Sequence, residues 1–229
     1  MNAIGSRQSH ADANVAHRQE KAGQILEVLT DYCGDLSDKQ ALDIGTGSGV
    51  IASVLCEHFE SLTSVDVVDE RVVRSFEFQL IDSEALPFPE ESFDVIISNH
   101  VIEHVHDKLH HLREVRRVLR ADGVAYLAMP NKWALVEPHF SLPALSWLPQ
   151  RIADRYVRAT GKGTAYDVEP LDFRCLSELS EQAALTLTDR STELASQKVR
   201  RATGIQQRMT DHLHRFFPSY VVLATAKRP

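Results

Sequence analysis

Two periodicities alternate along this chain. From Asn14 to Gly34 the apolar residues Val15, Ala22, Ile25, Leu26 and Leu29 recur at three- and four-residue spacing. That spacing predicts a helix with Asn14 as its N-cap and Gly34 as its stop. A short, nearly continuous apolar run then follows at 41–44, and 62–66, 76–81, 92–99 and 124–129 read as further strands. Runs of this length without polar alternation read as strands buried on both faces. Helical patterns separate several of them. One is carried by Val50, Ile51, Val54 and Leu55. Another, over 107–119, has Asp107 as N-cap and Leu109, Leu112, Val115, Val118 and Leu119 as its apolar stripe. Its arginines, Arg113, Arg116, Arg117 and Arg120, are expected on a solvated outer face and last turn. Further on, 171–184 reads as a helix, 185–191 and 219–226 as strands, and 197–215 as a basic, partly exposed helix. Strands alternating with helices predict an α/β domain around a mostly parallel sheet.

Composition changes this picture little. With 229 residues, 43% of them hydrophobic and 25% charged, the chain has the make-up of one globular α/β domain. No apolar run approaches the roughly 18 residues of a membrane span, and residues 1–20 lack the apolar core of a secretory leader. Cys33, Cys56 and Cys175 are widely spaced and odd in number, as expected of reduced thiols in a cytoplasmic protein. Charge is more telling. Residues 1–150 carry 12 Lys and Arg against 23 Asp and Glu, whereas 151–229 carry 13 against 9. Neither half forms the basic stripe of a nucleic-acid binder, so no nucleic-acid partner is expected.

The chemistry concentrates at the end of the first buried run, in Asp43-Ile44-Gly45-Thr46-Gly47-Ser48-Gly49. Glycines at alternate positions let a strand turn sharply into a helix and let a ligand lie against bare backbone. The rival pattern, a dinucleotide fingerprint, would need its third glycine at position 50, which is Val50. About twenty residues on, the second run ends in Asp66, placed to accept from both ribose hydroxyls of an adenosine, with Asp69 as the nearby alternative. That acid is common to several nucleotide-binding folds and does not choose between them.

The longer pattern does choose. The G-x-G-x-G loop with an acid two residues before it resembles motif I of the class I S-adenosylmethionine-dependent methyltransferases. The run Asp82-x-x-x-Leu86-Pro87-Phe88-Pro89-x-x-Ser92-Phe93-Asp94-Val95-Ile96-x-Ser98-Asn99, continued by Val101-Ile102-Glu103-His104-Val105, resembles their ubiquinone/menaquinone-type branch. The likeness covers residues 41–131 almost without a break. It implies a seven-stranded Rossmann-like sheet with helices on both faces and an antiparallel last strand. The implied cofactor is S-adenosyl-L-methionine, released as S-adenosyl-L-homocysteine. The implied cofactor-binding residues are Asp43, Gly45, Thr46, Gly47, Asp66, Asp82, Ser83 and Asn99, with Asp82 accepting from the adenine amino group. Leu86 and Phe88 could line an adenine slot or simply pack in the core. A basic residue such as His17 or Arg18 would meet the cofactor's carboxylate in some relatives. One departure stands out: only sixteen positions separate Asp66 from Asp82, so the helix between strands two and three should shrink to roughly two turns, near 69–75.

The implied organisation is one methyltransferase domain: a helix over 14–34, a cofactor-binding half over 40–131, a lid over 132–170 and a C-terminal half over 171–229. Pro143 and Pro149 should break the lid into two short helices. Its Phe140, Leu145, Trp147 and Leu148 suit lid packing, and would equally suit contact with a membrane surface. The expected partner is a small-molecule methyl acceptor, with a hydroxyl oxygen as target; the oligomeric state stays unassigned. If a hydroxyl is methylated, a base should take its proton. His139, beside Glu137 in the lid, and His100, just after strand four, are the catalytic candidates. No metal is expected, for the chain has no paired cysteines. His104, His106, His110 and His111 read as helix-surface positions. Two other readings remain open: a lipid- or quinone-directed methyltransferase docking on a membrane, and a module that binds the cofactor without turnover.

Overall fold

The computed structural model describes residues 3–83, 85–191, 193–194 and 218–227; the predicted helix over 197–215 lies outside them. A first helix, α1 (Ala3–Cys33), leads into β1 (Gln40–Ile44), α2 (Val50–Leu55), β2 (Ser61–Asp66), β3 (Glu77–Leu80) and β4 (Phe93–Asn99). After α3 (Lys108–Val118) and the long β5 (Leu119–Pro130) comes a separate hairpin, β6 (Val136–Glu137) and β7 (Leu142–Pro143). The chain continues through a 3₁₀ turn, α4 (Gln150–Ala159), α5 (Phe173–Gln182), β8 (Leu185–Asp189) and β9 (Ser219–Ala226). Seven strands form one sheet in the order β3-β2-β1-β4-β5-β9-β8, and β9 runs antiparallel to both of its neighbours. This is the seven-stranded Rossmann-like sheet that the sequence resemblance implies.

The two faces of the sheet account for the apolar runs. Along β1, β4 and β5, the residues Leu42, Ile44, Ile96, Ala125 and Leu127 turn to one side, where Leu112, Val115 and Val118 of α3 and Leu176 of α5 cover them. Their sequence neighbours Ala41, Val95, Ile97, Val124 and Tyr126 turn to the other side, against Ala22, Ile25 and Leu29 of α1 and Leu55 of α2. Side chains alternate by two along a strand, so a strand covered on both faces must be apolar at nearly every position.

Four local expectations change. The first helix begins at Ala3, with Asn14 inside it; nothing between these positions breaks a helix as a proline would. Its end is as expected, with Gly34 left-handed at φ 77° and its N–H on the Thr30 carbonyl. Secondly, no helix connects β2 to β3. The Asp69 carboxylate accepts from the Arg71 backbone N–H, from the Arg71 side chain at 2.9 Å and from Arg74 at 2.8 Å. The Val72 N–H goes to the Ser48 carbonyl. The connection therefore makes its hydrogen bonds with the glycine loop and its own side chains rather than along a helix. Thirdly, two of the arginines expected on a solvated face are braces. Arg117 joins Glu114 to the carbonyls of Leu86 and Phe88, and Arg120 ties Asp94 to Gln40. Finally, His111 is buried, with its Nε2 3.1 Å from Ser98 Oγ.

Candidate functional site

Three glycines carry the loop after β1, and all three are left-handed: Gly45 at φ 79°, Gly47 at 52° and Gly49 at 80°. Side chains with a Cβ rarely adopt that region, which explains the alternate spacing. Their surroundings differ. A Cβ at Gly45 would stand 2.4 Å from Val101 Cγ2, and one at Gly49 would stand 2.5 Å from the Val73 carbonyl oxygen. Those two glycines let the loop pack against the protein. At Gly47 the nearest atom to such a Cβ is Arg18 Nη1 at 3.8 Å, so this glycine opens on space.

β2 fixes the loop. Gly45 N–H and Thr46 Oγ1 donate to the Val65 carbonyl, and Gly47 N–H donates to Asp66 Oδ2 at 2.8 Å. The other oxygen of Asp66 accepts from Val67 N–H. Asp43 is buried below the loop and accepts from Ser64 Oγ. Burial pushes its carboxyl up to about 6 against the lowering effect of bonds from Ser64 and Thr46, with Asp66 adding to the rise. At the tip of β4, Asn99 Oδ1 is buried without a hydrogen-bond partner, as is Ser48 Oγ in the loop. Asp82 and Ser83 follow β3 on an exposed rim, where Asp82 shares an open pocket with Gln79 and Pro87.

These features fit an adenosine-bearing methyl donor: open space beside a left-handed glycine, an acid at the end of β2, an orphaned buried acceptor and a guanidinium across the loop. Asp69, the alternative acid, is committed to two arginines. Leu86 and Phe88 pack into the core, Phe88 edge-on to Phe93. His17 is exposed on α1.

Both predicted histidines meet at one place. His100 follows β4 in a left-handed conformation, φ 60°, which a residue with a Cβ holds only when its surroundings enforce it. Its Nδ1 lies 3.0 Å from Glu103 Oε1. His139 comes from the turn between β6 and β7, its Nδ1 2.9 Å from Glu137 Oε1 and its Nε2 3.5 Å from the same Glu103 oxygen. The two imidazoles stand edge to face at 5.5 Å, and His104 meets His139 in the same way. The hydrogen bond to Glu137 raises the His139 pKa in spite of burial. Burial pushes Glu137 up, yet the bonds it accepts from His139 and from the Phe140 N–H hold it lower.

The segment that delivers His139 is folded rather than loose. Leu142, Leu145, Ala153, Val157, Tyr166 and Val168 form a small core of their own. Pro149 sits at the N-cap of α4, and a hairpin with a 3₁₀ turn stands where the first of two short helices was expected. Glu103 is the participant that sequence reasoning passed over, having read it only as part of a family pattern. Its position three residues after His100 was the available signal. Three donor atoms, one each from His100, Glu103 and His139, lie within 4.8 Å of one another, and it is the arrival of His139 that no local spacing announced.

Residues 42–127 match the family model described as a methyltransferase domain. The uncharacterized methyltransferase YcgJ of Bacillus subtilis is 31% identical over 121 residues, 47% of this chain and 48% of that protein. Its crystal structure superposes with a TM-score of 0.56 at 19% identity, covering 89% of this chain and 98% of that one. A ubiquinone biosynthesis O-methyltransferase of Parvibaculum lavamentivorans is 27% identical over 133 residues, 51% of each chain. A ubiquinone/menaquinone biosynthesis C-methyltransferase UbiE of Xylella fastidiosa is 28% identical over 150 residues, 62% of this chain and 59% of that one. The chain thus spans about half the length of the curated relatives it matches. Among the described residues, no helix is long and apolar enough to cross a membrane.

Proposed function

Because this chain is built on a class I, S-adenosylmethionine-dependent methyltransferase domain of the ubiquinone/menaquinone-type branch, we propose that it transfers the methyl group of S-adenosyl-L-methionine to a hydroxyl oxygen of a small molecule. The observation that carries the choice of oxygen is the His139–Glu137 pair. With Nδ1 held by a buried carboxylate, the imidazole turns Nε2 toward His100 and Glu103, at the carboxyl edge of the sheet where ligands of open α/β folds bind. An imidazole so oriented can take a proton as the methyl group arrives. The segment over 132–170 covers the acceptor, and the glycine loop with Asp66, Asp82 and Asn99 holds the cofactor. One of the relatives is itself named an O-methyltransferase. The test is to supply ¹³C-methyl cofactor with panels of phenols, alcohols and amines and to read the carbon shift of the product. A new O-methyl signal is expected; products carrying only C- or N-methyl groups overturn the choice of oxygen.

A second reading keeps the same chemistry and moves the acceptor into a lipid phase. Trp133, Leu135, Val136, Trp147 and Ile152, all from the 132–170 segment, are each 42–54% exposed. Apolar side chains exposed in one segment suit contact with a membrane surface. Co-sedimentation with vesicles separates the two readings.

The cofactor's charge gives a prediction about Asp43. A sulfonium and an ammonium favour the ionised carboxylate, so binding should expel the proton that burial keeps on Asp43 up to about pH 6. Affinity should then rise with pH and level off above neutrality. One unit below that pKa, about nine in ten molecules are protonated and affinity should be lower by roughly tenfold. S-adenosyl-L-homocysteine, without the sulfonium, should show a smaller dependence, and Asp43→Asn should flatten it. Equal calorimetric affinities at pH 5 and 7.5 would refute the coupling.

A further inference from the structure

We propose that His100, Glu103 and His139 form a binding site for a divalent cation of the zinc and first-row transition-metal class, held by two imidazole nitrogens and one carboxylate. The distances carry this furthest. His100 Nδ1 and His139 Nε2 lie 3.0 and 3.5 Å from Glu103 Oε1. Ligands at metal–nitrogen and metal–oxygen bond lengths of about 2.0–2.1 Å stand about 3.3–3.4 Å apart around a tetrahedron and about 3.0 Å apart around an octahedron. Two of the three donor pairs therefore already have the spacing that a cation would impose, and the third lies within 4.8 Å.

Glu103 supplies the second observation. Its side chain has no exposed surface, its Oε1 is shared by two imidazoles, and its Oε2 has no hydrogen-bond partner. A buried carboxylate with one oxygen left without a partner is costly, and a dication held at its other oxygen offsets its charge. Glu137 is buried as well, and among the described residues neither carboxylate is paired with a lysine or arginine. Two carboxylates and two neutral imidazoles leave two negative charges for a dication to balance.

Glu137 completes the arrangement without touching the cation. Its hydrogen bond fixes the His139 tautomer with the proton on Nδ1, leaving the Nε2 lone pair directed at the site. This carboxylate–histidine pairing is a recurrent support of metal ligands. Imidazole donors favour zinc, iron(II), cobalt(II) and their neighbours over magnesium and calcium, which prefer all-oxygen sites. Three protein ligands also leave coordination positions open, on the rim where the acceptor is placed.

Binding of the cation does not depend on the acceptor reading, and the test keeps the two apart. Chelator-treated full-length protein, without cofactor or acceptor, is titrated with Zn²⁺ by calorimetry and with Co²⁺ by visible absorption. One ion per chain is expected, with a cobalt spectrum of nitrogen and oxygen ligation that excess Mg²⁺ does not displace. Glu137→Gln should weaken binding by about 10–100-fold, and Glu103→Gln and His139→Gln by more. His58→Gln, at an exposed histidine away from the cluster, should leave it unchanged. Homocysteine-cofactor affinity reports whether each variant is folded; if Glu103→Gln is not, His100→Gln serves in its place. No saturable binding, or binding that the cluster variants leave intact, overturns the site even if methyl transfer is found. Methyl transfer that fails while cation binding follows the cluster refutes the acceptor reading alone.

Discussion

Replacing His139 by glutamine is expected to lower turnover by about 10²–10⁴ with little change in cofactor affinity. Methyl transfer from a sulfonium is an in-line displacement, and alignment of the reactants can contribute on the order of 7–11 kcal/mol of rate acceleration. Glutamine keeps a polar side chain of similar reach and should preserve much of that alignment. It cannot take a proton near neutral pH, so the loss should fall on turnover at saturating acceptor. A histidine that merely anchors the 132–170 segment would show the opposite split: a raised Michaelis constant and nearly intact turnover. Measuring with a chelator present reads the imidazole's own contribution. A wild-type enzyme that loses turnover on chelation and regains it with Zn²⁺ or Co²⁺ transfers proton removal from His139 to the bound cation. If His100→Gln abolishes turnover and His139→Gln does not, the two histidines exchange roles. If neither matters, the acceptor needs no base.

What the sequence revealed followed from how local the physical constraint was. The G-x-G-x-G spacing reports three left-handed backbone positions within five residues, a demand made entirely by the nearby chain. The runs of β1, β4 and β5 report burial on both faces, which composition alone reveals. The missing helix between β2 and β3 was harder. Its residues form no helix because Asp69 gathers Arg71 and Arg74, and because Val72 donates to Ser48, 24 positions upstream. His139 and His100 could be placed at the same sheet edge because His100 directly follows strand four and His139 lies in the segment inserted after strand five. That they share one oxygen of Glu103 could not, since Glu103 is buried by contacts that exist only once the 132–170 segment folds back. The hairpin that carries Glu137 and His139 is two residues to a strand, too short to register as a period.

Substituting Gly47 should remove cofactor binding while leaving the protein folded, and the neighbouring glycines provide the contrast. A Cβ at Gly47 meets no protein atom closer than 3.8 Å. Gly47→Val therefore carries chiefly the cost of a left-handed backbone, on the order of 1–2 kcal/mol. Its branched side chain, however, fills the space against which the methionine part of the cofactor would lie. More than a hundredfold loss of affinity is expected, with only a modest fall in the thermal midpoint. At Gly49 the same change drives a Cβ to within 2.5 Å of the Val73 carbonyl oxygen, so Gly49→Val should destabilise the fold itself. Asp66→Ala lies between the two. It removes an acceptor for the ribose hydroxyls and also the partner of Gly47 N–H. Charge-assisted hydrogen bonds of this kind are worth about 1.5–3 kcal/mol, or roughly ten- to a hundredfold in affinity. Titration calorimetry with S-adenosyl-L-methionine, paired with thermal melts, distinguishes the three variants. If Gly47→Val binds as the wild type does, the cofactor does not lie against this loop, and the assignment of Asp66 and Asn99 to the same ligand falls with it.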